Sequence, residues 1–290
     1  MLQLNSKKLR RRFASAAKTY DEAAVLQREV ADRLLERLEY IKQVPQVILD
    51  VGCGTGYCTR LLAKKYPQAF VAGFDITHPM LIRANNKRRW FRRGPAYVTA
   101  DAHIIPVKSN SVDLIFSNLV LQWCDQASVF NEFARVLKPG GLVMFSTFGP
   151  DTLMELRMAW ASVDDNQHVH DFLDMHNIGD DLVHVKLSEP VMDKETIILT
   201  YQTVAGMLKD LRQIGANNAV KNRFTGLTGK NRFASFTDAY KKLAVANLIP
   251  ASYEIIYGQA WGPVNLTGKT GKDFTVPIQS FQQPQRPKHE

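Results

Sequence analysis

No apolar run in this chain approaches the roughly 18–20 residues that a membrane-spanning helix needs. A membrane-embedded protein is therefore not expected. With 45% apolar and 10% aromatic residues among 290, the chain can instead build a core in water. Cysteine is scarce: Cys53, Cys58 and Cys124 are the full set, with no CxxC pair and no zinc-ligand spacing. Reduced thiols in a cytoplasmic protein are the simple expectation. The basic opening stretch, residues 1–21, lacks an apolar signal core, so no secretion signal is expected. His168, His170, His176 and His184 crowd one stretch, but their spacing matches no common zinc pattern, and no metal site is expected.

What the chain has is an uneven excess of positive charge, +9 overall. Arg83 to Arg93 carries six basic residues and no acid, whereas Asp151 to Glu195 is rich in acids such as Asp164, Asp165, Asp180 and Asp181. Basic character returns between Lys209 and Lys242. This asymmetry points to an anionic partner on one side of the molecule. The basic clusters contain no nucleic-acid reading motif, so nucleic acid is not the expected partner.

Leu26, Val30, Leu34 and Leu38 recur every four residues, with Ile41 continuing the stripe, and predict helix across 6–43. Pro45 ends it. An alternation of strands and helices follows. "QVILDVG", "AFVAGFDIT", "AYVTAD", "VDLIFSNLV" and "GLVMFSTF" read as strands. Helices fall between them, one with Pro79 in its first turn, where a missing N–H is tolerated. The pattern predicts an α/β fold, a mostly parallel sheet covered on both faces. After Gly149 the rhythm changes. Residues 151–190 read as an acidic helical insertion, "ETIILTY" as a strand, 203–246 as helix, loop and helix, and "SYEIIYGQAWG" as a last strand. The expected organisation is a helical N-terminal lid (1–44), one catalytic-type domain (45–263) and a loose tail (264–290).

The chemistry concentrates in "DVGCGTG", where Gly52, Gly54 and Gly56 mark a strand turning into a helix. Glycines there let a ligand touch bare main chain. The order is G-x-G-x-G rather than the dinucleotide G-x-G-x-x-G, and no Lys-Ser/Thr follows as a phosphate-binding loop requires. Asp50 precedes the loop; a carboxylate there repels phosphate and suits a positively charged ligand. Asp75 ends the second strand about 20 residues on, where an acid accepts hydrogen bonds from both ribose hydroxyls. Asp101 follows the third strand, placed for the amino edge of an adenine, and Asn118 ends the fourth. These ends of successive strands are where open α/β sheets bind ligands.

These motifs, with "ADAHIIPVKSNSVDLIFSNLVLQW" and "RVLKPGGLVMFST", resemble the class I S-adenosylmethionine-dependent methyltransferases over residues 47–148. The resemblance implies a Rossmann-like, seven-stranded sheet with an antiparallel last strand. It implies S-adenosyl-L-methionine as cofactor and S-adenosyl-L-homocysteine as product. It assigns Asp50, Gly52, Gly54 and Gly56 to the methionine end and Asp75, with Ile76 beside it, to the ribose. Asp101 and Ala102 go to the adenine, and Asn118 to the edge near the methyl group.

The flanks, "FASAAKTYDEAAVLQREVADRLLERL", "FGPDTLMELRMAW", "HVHDFLDMHNIGD", "LKDLRQIGANN" and "YEIIYGQAWGP", resemble the malonyl-[acyl-carrier protein] O-methyltransferases of biotin synthesis over residues 13–263. That family esterifies the free carboxylate of a malonyl group carried on phosphopantetheine by an acidic carrier protein; the expected substrate is malonyl-[acyl-carrier protein] or malonyl-coenzyme A. Such a carboxylate, with a pKa of about 4, is already ionised at neutral pH. No general base is then needed, and the remaining task is alignment in a dry pocket. Tyr20 is expected to position the substrate carboxylate or close over the cofactor, Gln122 and Trp123 to line the acceptor side, and Arg212 to clamp the carboxylate with two hydrogen bonds. The Arg83–Arg93 run, or Lys221, Arg223, Lys230 and Arg232, is expected to dock the carrier protein. Two other readings share this core. One is a methyltransferase for a quinone-like small acid; the other is a protein-directed hydroxylase resembling complex I assembly factors.

Overall fold

The computed structural model describes residues 6–87, 94–215 and 229–263. The apolar strand runs become β1 (Val47–Val51), β2 (Phe70–Asp75), β3 (Ala96–Thr99), β4 (Val112–Asn118), β5 (Leu137–Phe148), β6 (Ser188–Tyr201) and β7 (Ile249–Trp261). They form one sheet in the order β3-β2-β1-β4-β5-β7-β6. β1 to β5 run parallel, and β7 is antiparallel to both β5 and β6. The mostly parallel, seven-stranded sheet with an antiparallel last strand is therefore as expected.

Alternation along the strands sends side chains to two separate cores. Ile48, Leu114, Phe116, Leu142 and Met144 face one side; Leu49, Ile115, Val143 and Phe145 face the other. The first side is covered by α3 (Val25–Arg37), α4 (Tyr57–Lys65), α7 (Met154–Ala161), α9 (Val204–Gln213) and α10 (Lys230–Lys241). The second is covered by α6 (Gln126–Val136) and α8 (Met175–His184), through Val129, Phe130, Phe133, Ile178 and Leu182. α5 (His78–Asn86) carries Pro79 in its first turn, as its sequence predicts. No helix among the described residues is long and apolar enough to cross a membrane.

Three sequence expectations shift in detail. The N-terminal segment is not one helix but α1 (Ser6–Ala16), a short α2 (Tyr20–Ala23) and α3. The break delivers Asp21 to the glycine loop, where its two oxygens accept from Thr55 and Lys87, each at 2.6 Å. The four-residue stripe of α3 is core: Leu26, Val30, Ala31 and Leu34 are buried. α3 is also tied to the far end of the sheet by Arg33 to Glu195 and Arg37 to Asp193, while the Arg37 guanidinium lies 3.8 Å from the Tyr257 ring centre. Second, β6 begins seven residues before "ETIILTY", inside the stretch read as helical, because β7 offers a partner along its whole length. Third, the "KPGG" turn is absorbed into β5 as a bulge between the pairs Val112–Leu137 and Leu114–Leu142. The 264–290 tail and the 216–228 loop lie outside the described residues, as do residues 88–93 of the basic run.

Candidate active site

The C-terminal ends of β1, β2 and β4 open into a cavity of about 390 Å³, roofed by Leu9, Phe13 and Tyr20 of the N-terminal helices. The glycine loop forms its floor. Gly52 and Cys53 donate their main-chain N–H groups to the Phe74 carbonyl at 2.7 and 2.9 Å, binding the loop to β2. Gly52 has φ of 75°, and a methyl group there would overlap the Val120 side chain. Gly56, at φ 74°, is packed under Tyr97 of β3 and caps α4. Gly54 sits on the cavity wall itself, opposite Tyr20.

Asp75 ends β2 with both carboxylate oxygens already engaged: Oδ2 accepts from Gly54 N–H at 2.9 Å and Oδ1 from Thr77 N–H at 2.7 Å. Burial raises its pKa above the usual carboxylate value, and these two main-chain donors partly counter that. Each oxygen keeps a further lone pair for a ligand. Ile76, Asp101 and Ala102 continue the same wall. Burial also works against the charge on Asp101, but the His103 main chain and ring outweigh it and hold the carboxyl below the usual range. With Asp125 also present, the described residues of the cavity wall carry three carboxylates against one arginine, Arg10. Such a wall favours a cationic ligand.

Asp50 is placed differently. It lies beneath the loop, fully buried, with its carboxyl on the Thr59 hydroxyl and no share of the cavity wall. Burial pushes its pKa up to about 7. The native carboxyl thus keeps its proton to higher pH than the unfolded chain does. Its contribution to stability is complete below about pH 4 and is lost as pH rises through about 7. Asp50→Asn removes that titration, so its stability relative to the parent rises between about pH 4 and about pH 7 in denaturant melts. A pH-independent difference between the two proteins would refute this assignment.

Asn118, Gln122 and Tyr20 meet on the remaining wall. The Asn118 amide donates to the Gln27 carbonyl at 2.9 Å and accepts from Ser146 at 2.7 Å, joining α3 to the sheet. Gln122 donates to the Leu119 carbonyl at 2.7 Å and accepts from Thr147. Both amides are therefore held in place by the protein. Leu119 between them has φ of 52°, a left-handed conformation unusual for leucine. Burial and then the neighbouring Asp75 charge raise the Tyr20 hydroxyl far above its usual pKa, so it remains a donor. Cys53 and Cys58 are likewise pushed well up by burial, and Cys124 to about 12; none offers a thiolate at neutral pH.

A second chamber of about 150 Å³ adjoins the first. Gln27, Trp123, Phe148 and Ile214 line both and form the partition. Leu156, Trp160, Leu208 and Leu211 give the second chamber a mainly apolar lining, interrupted by Thr152, His168, His170 and by Arg212 from α9, which stands on its wall rather than in the first. Leu153, also on this wall, has φ of 56°. Two buried polar atoms here, Gln27 Oε1 and His170 Nε2, have no hydrogen-bond partner among the described residues. The His170 ring rests against Trp123 and Phe172, with centroids 5.0 and 4.4 Å away. Burial lowers its pKa to about 4, so it is a neutral imidazole at pH 7. His168 instead stacks on Trp160 and pairs with Asp164. Among the described residues no cluster of His, Cys, Asp and Glu has a metal-binding arrangement.

Sequence reasoning missed Gln27 and His170. Gln27 is hidden in the helical stripe, one place from Leu26. His170 had a signal in "HVHDFL", where it lies between apolar Val169 and Phe172, but the histidine crowding drew attention to metal instead.

The methyltransferase-domain family (Methyltransf_11) matches residues 49–145, the segment carrying the glycine loop and the acids. Solved structures share the fold at low identity. The YcgJ protein of Bacillus subtilis has a TM-score of 0.57 and 16% identity, covering 79% of this chain and 97% of that one. Phosphoethanolamine N-methyltransferase 2 of Haemonchus contortus, in complex with S-adenosyl-L-methionine, has a TM-score of 0.54 and 17% identity, covering 86% of this chain and 57% of that one. Sheet order, glycine loop and strand-end acids together define a class I methyltransferase. Much greater similarity joins the chain to the malonyl-[acyl-carrier protein] O-methyltransferase of Gallionella capsiferriformans, with 46% identity over 274 residues, 92% of this chain and 94% of its relative. The chain belongs to the malonyl-[acyl-carrier protein] O-methyltransferase family.

Proposed function

We propose that the protein transfers a methyl group from S-adenosylmethionine to the free carboxylate of malonyl-[acyl-carrier protein], in a cytoplasmic step of biotin synthesis. The observation that carries this reading is the near-full-length identity to proteins bearing that name. In the same reading, residues 45–263 form the methyltransferase domain and 1–44 its lid.

The first chamber suits the cofactor. Gly54 and the bare loop leave room for main-chain contact, and the acidic wall complements positive charge. When bound, S-adenosylmethionine supplies a methyl group on a positively charged sulfur. Asp75 would hold the ribose through the unused lone pairs of its two oxygens, and Asp101 would take the adenine amino group. Asp50 and Gly56 shape the loop from beneath rather than touching the ligand.

The second chamber suits the acceptor. Its apolar walls exclude water, and the acceptor oxygen needs no proton removed. Neutral His170 and raised thiols fit a site that orients instead of deprotonating. Arg212 would clamp the malonyl carboxylate, while Gln27 and His170 hold polar atoms at or near the partition. Tyr20, on the donor side, covers the loop.

Incubating the purified protein with labelled cofactor and malonyl-carrier protein, malonyl-coenzyme A or a quinol precursor tests the reading. The expected product is the malonyl methyl ester; exclusive turnover of the quinol would overturn it. In the same assay Arg212→Ala should raise KM for the malonyl thioester about tenfold, the loss of a charge-assisted hydrogen bond. An unchanged KM would end the clamp assignment.

A further inference from the structure

Beside the acceptor chamber lies a more open groove of about 580 Å³ between α1 and α9, and its lining matches neither chamber. Five cations face it: Lys8, Arg11 and Arg12 from α1, with Lys209 and Arg212 from α9. None of the described residues lining it is acidic. The two helices meet at its floor. Gly215 packs so closely on α1 that a β-carbon there would sit 3.1 Å from the Phe13 ring, and Thr19 reaches the Gln213 carbonyl at 3.3 Å. Each helix therefore presents one face outward to the groove and the other inward. α1 sends Leu9 and Phe13 to the first chamber; α9 sends Leu208 and Leu211 to the second.

Arg212 lines both the groove and the second chamber, so the two are neighbours with its side chain between them. The second chamber in turn shares its partition with the first. The groove, the second chamber and the first chamber thus adjoin in that order, with Arg212 at the first boundary. The clusters singled out in the sequence are less well placed. Arg83 donates to the Lys18 carbonyl and Lys87 pairs with Asp21, both holding the N-terminal segment. Arg232 pairs with Asp164. Lys221 and Arg223 lie outside the described residues.

We propose that this groove docks the acidic carrier protein, seating the phosphodiester of its pantetheine arm between Arg11 and Lys209, so that the arm passes Arg212 into the acceptor chamber. This rests on the functional reading above. Unlike a general basic surface, the groove sets charge recognition beside the second chamber, which itself borders the donor cavity.

The test compares the full-length parent with Arg11→Glu/Lys209→Glu and with Lys64→Glu, an exposed charge reversal on α4. Substrates are malonyl-loaded carrier protein and malonyl-N-acetylcysteamine, the same thioester without a phosphate or a protein. Expected is a fall in kcat/KM for the carrier-bound substrate about tenfold larger than for the truncated one in the double variant, with the parent's salt sensitivity flattened. Fluorescence anisotropy of dye-labelled, phosphopantetheinylated carrier protein should show Kd weakened about tenfold in the double variant and little altered in Lys64→Glu. Equal losses for both substrates, retained salt sensitivity, or unchanged Kd would overturn the docking site. Loss of oligonucleotide binding with intact carrier kinetics would do so in favour of nucleic acid. If the parent esterifies no malonyl thioester at all, the functional reading has failed, and the docking proposal falls with it.

Discussion

Asp75→Ala is expected to weaken binding of S-adenosylmethionine and of its demethylated product by roughly a hundredfold, about 3 kcal/mol, the scale of two lost hydrogen bonds to a charged group. Titration calorimetry reads this directly. The sheet should survive, because Asp75 supports only Gly54 and Thr77 at the rim, while Phe74 before it remains in the core. Asp75→Asn separates the two roles. It keeps one acceptor oxygen but loses the charge, and should fall between the parent and alanine. Parent-like affinity in Asp75→Ala would remove the ribose assignment and much of the case for this cavity as the donor site.

Gly258→Ala should act in the opposite way, damaging the fold before the site. Gly258 pairs directly with Phe145 across β5 and β7, and a β-carbon there would overlap the Phe145 ring. That ring cannot retreat freely, since it is fully buried and packs on Phe130 at 5.3 Å. Overpacking of this kind costs about 2–3 kcal/mol. A shifted urea midpoint with an unchanged slope is the expected signature. A loss below about 0.5 kcal/mol would show that the core yields more readily than its packing indicates. β7 also carries Tyr253 to the acceptor chamber and Tyr257 to Arg37, so movement there reaches the site indirectly.

The parts legible in the sequence are those set by local pattern. β1 to β5 announce themselves as short apolar runs, and the glycines, Asp75 and Asp101 fall at strand ends where topology alone makes a cavity. Pro79 marks a helix start by its own geometry. What the sequence concealed depends on tertiary partners. The extent of β6 comes from β7, some fifty residues later in the chain. The break between α1 and α3 is held by Thr55 and Lys87 on Asp21, a contact no periodicity reveals. Arg212, read from the sequence as a carboxylate clamp, lies on the wall of the second chamber, and its second face, toward the charged groove, needed α1 and α9 side by side. Gln27 and His170 look like ordinary helix and loop residues until burial leaves their polar atoms unmatched.

The partition shared by the two chambers limits how the enzyme's range can be altered. Trp123, Phe148, Gln27 and Ile214 are walls common to both rooms, so under the proposed assignment of donor and acceptor, trimming any of them to admit a longer dicarboxylic half-thioester would also loosen the grip on the donor. Leu156, Trp160 and Leu208 bound the acceptor room alone. Remodelling for larger diacids is thus best directed at that far wall, where chain-length preference can change while donor affinity stays put.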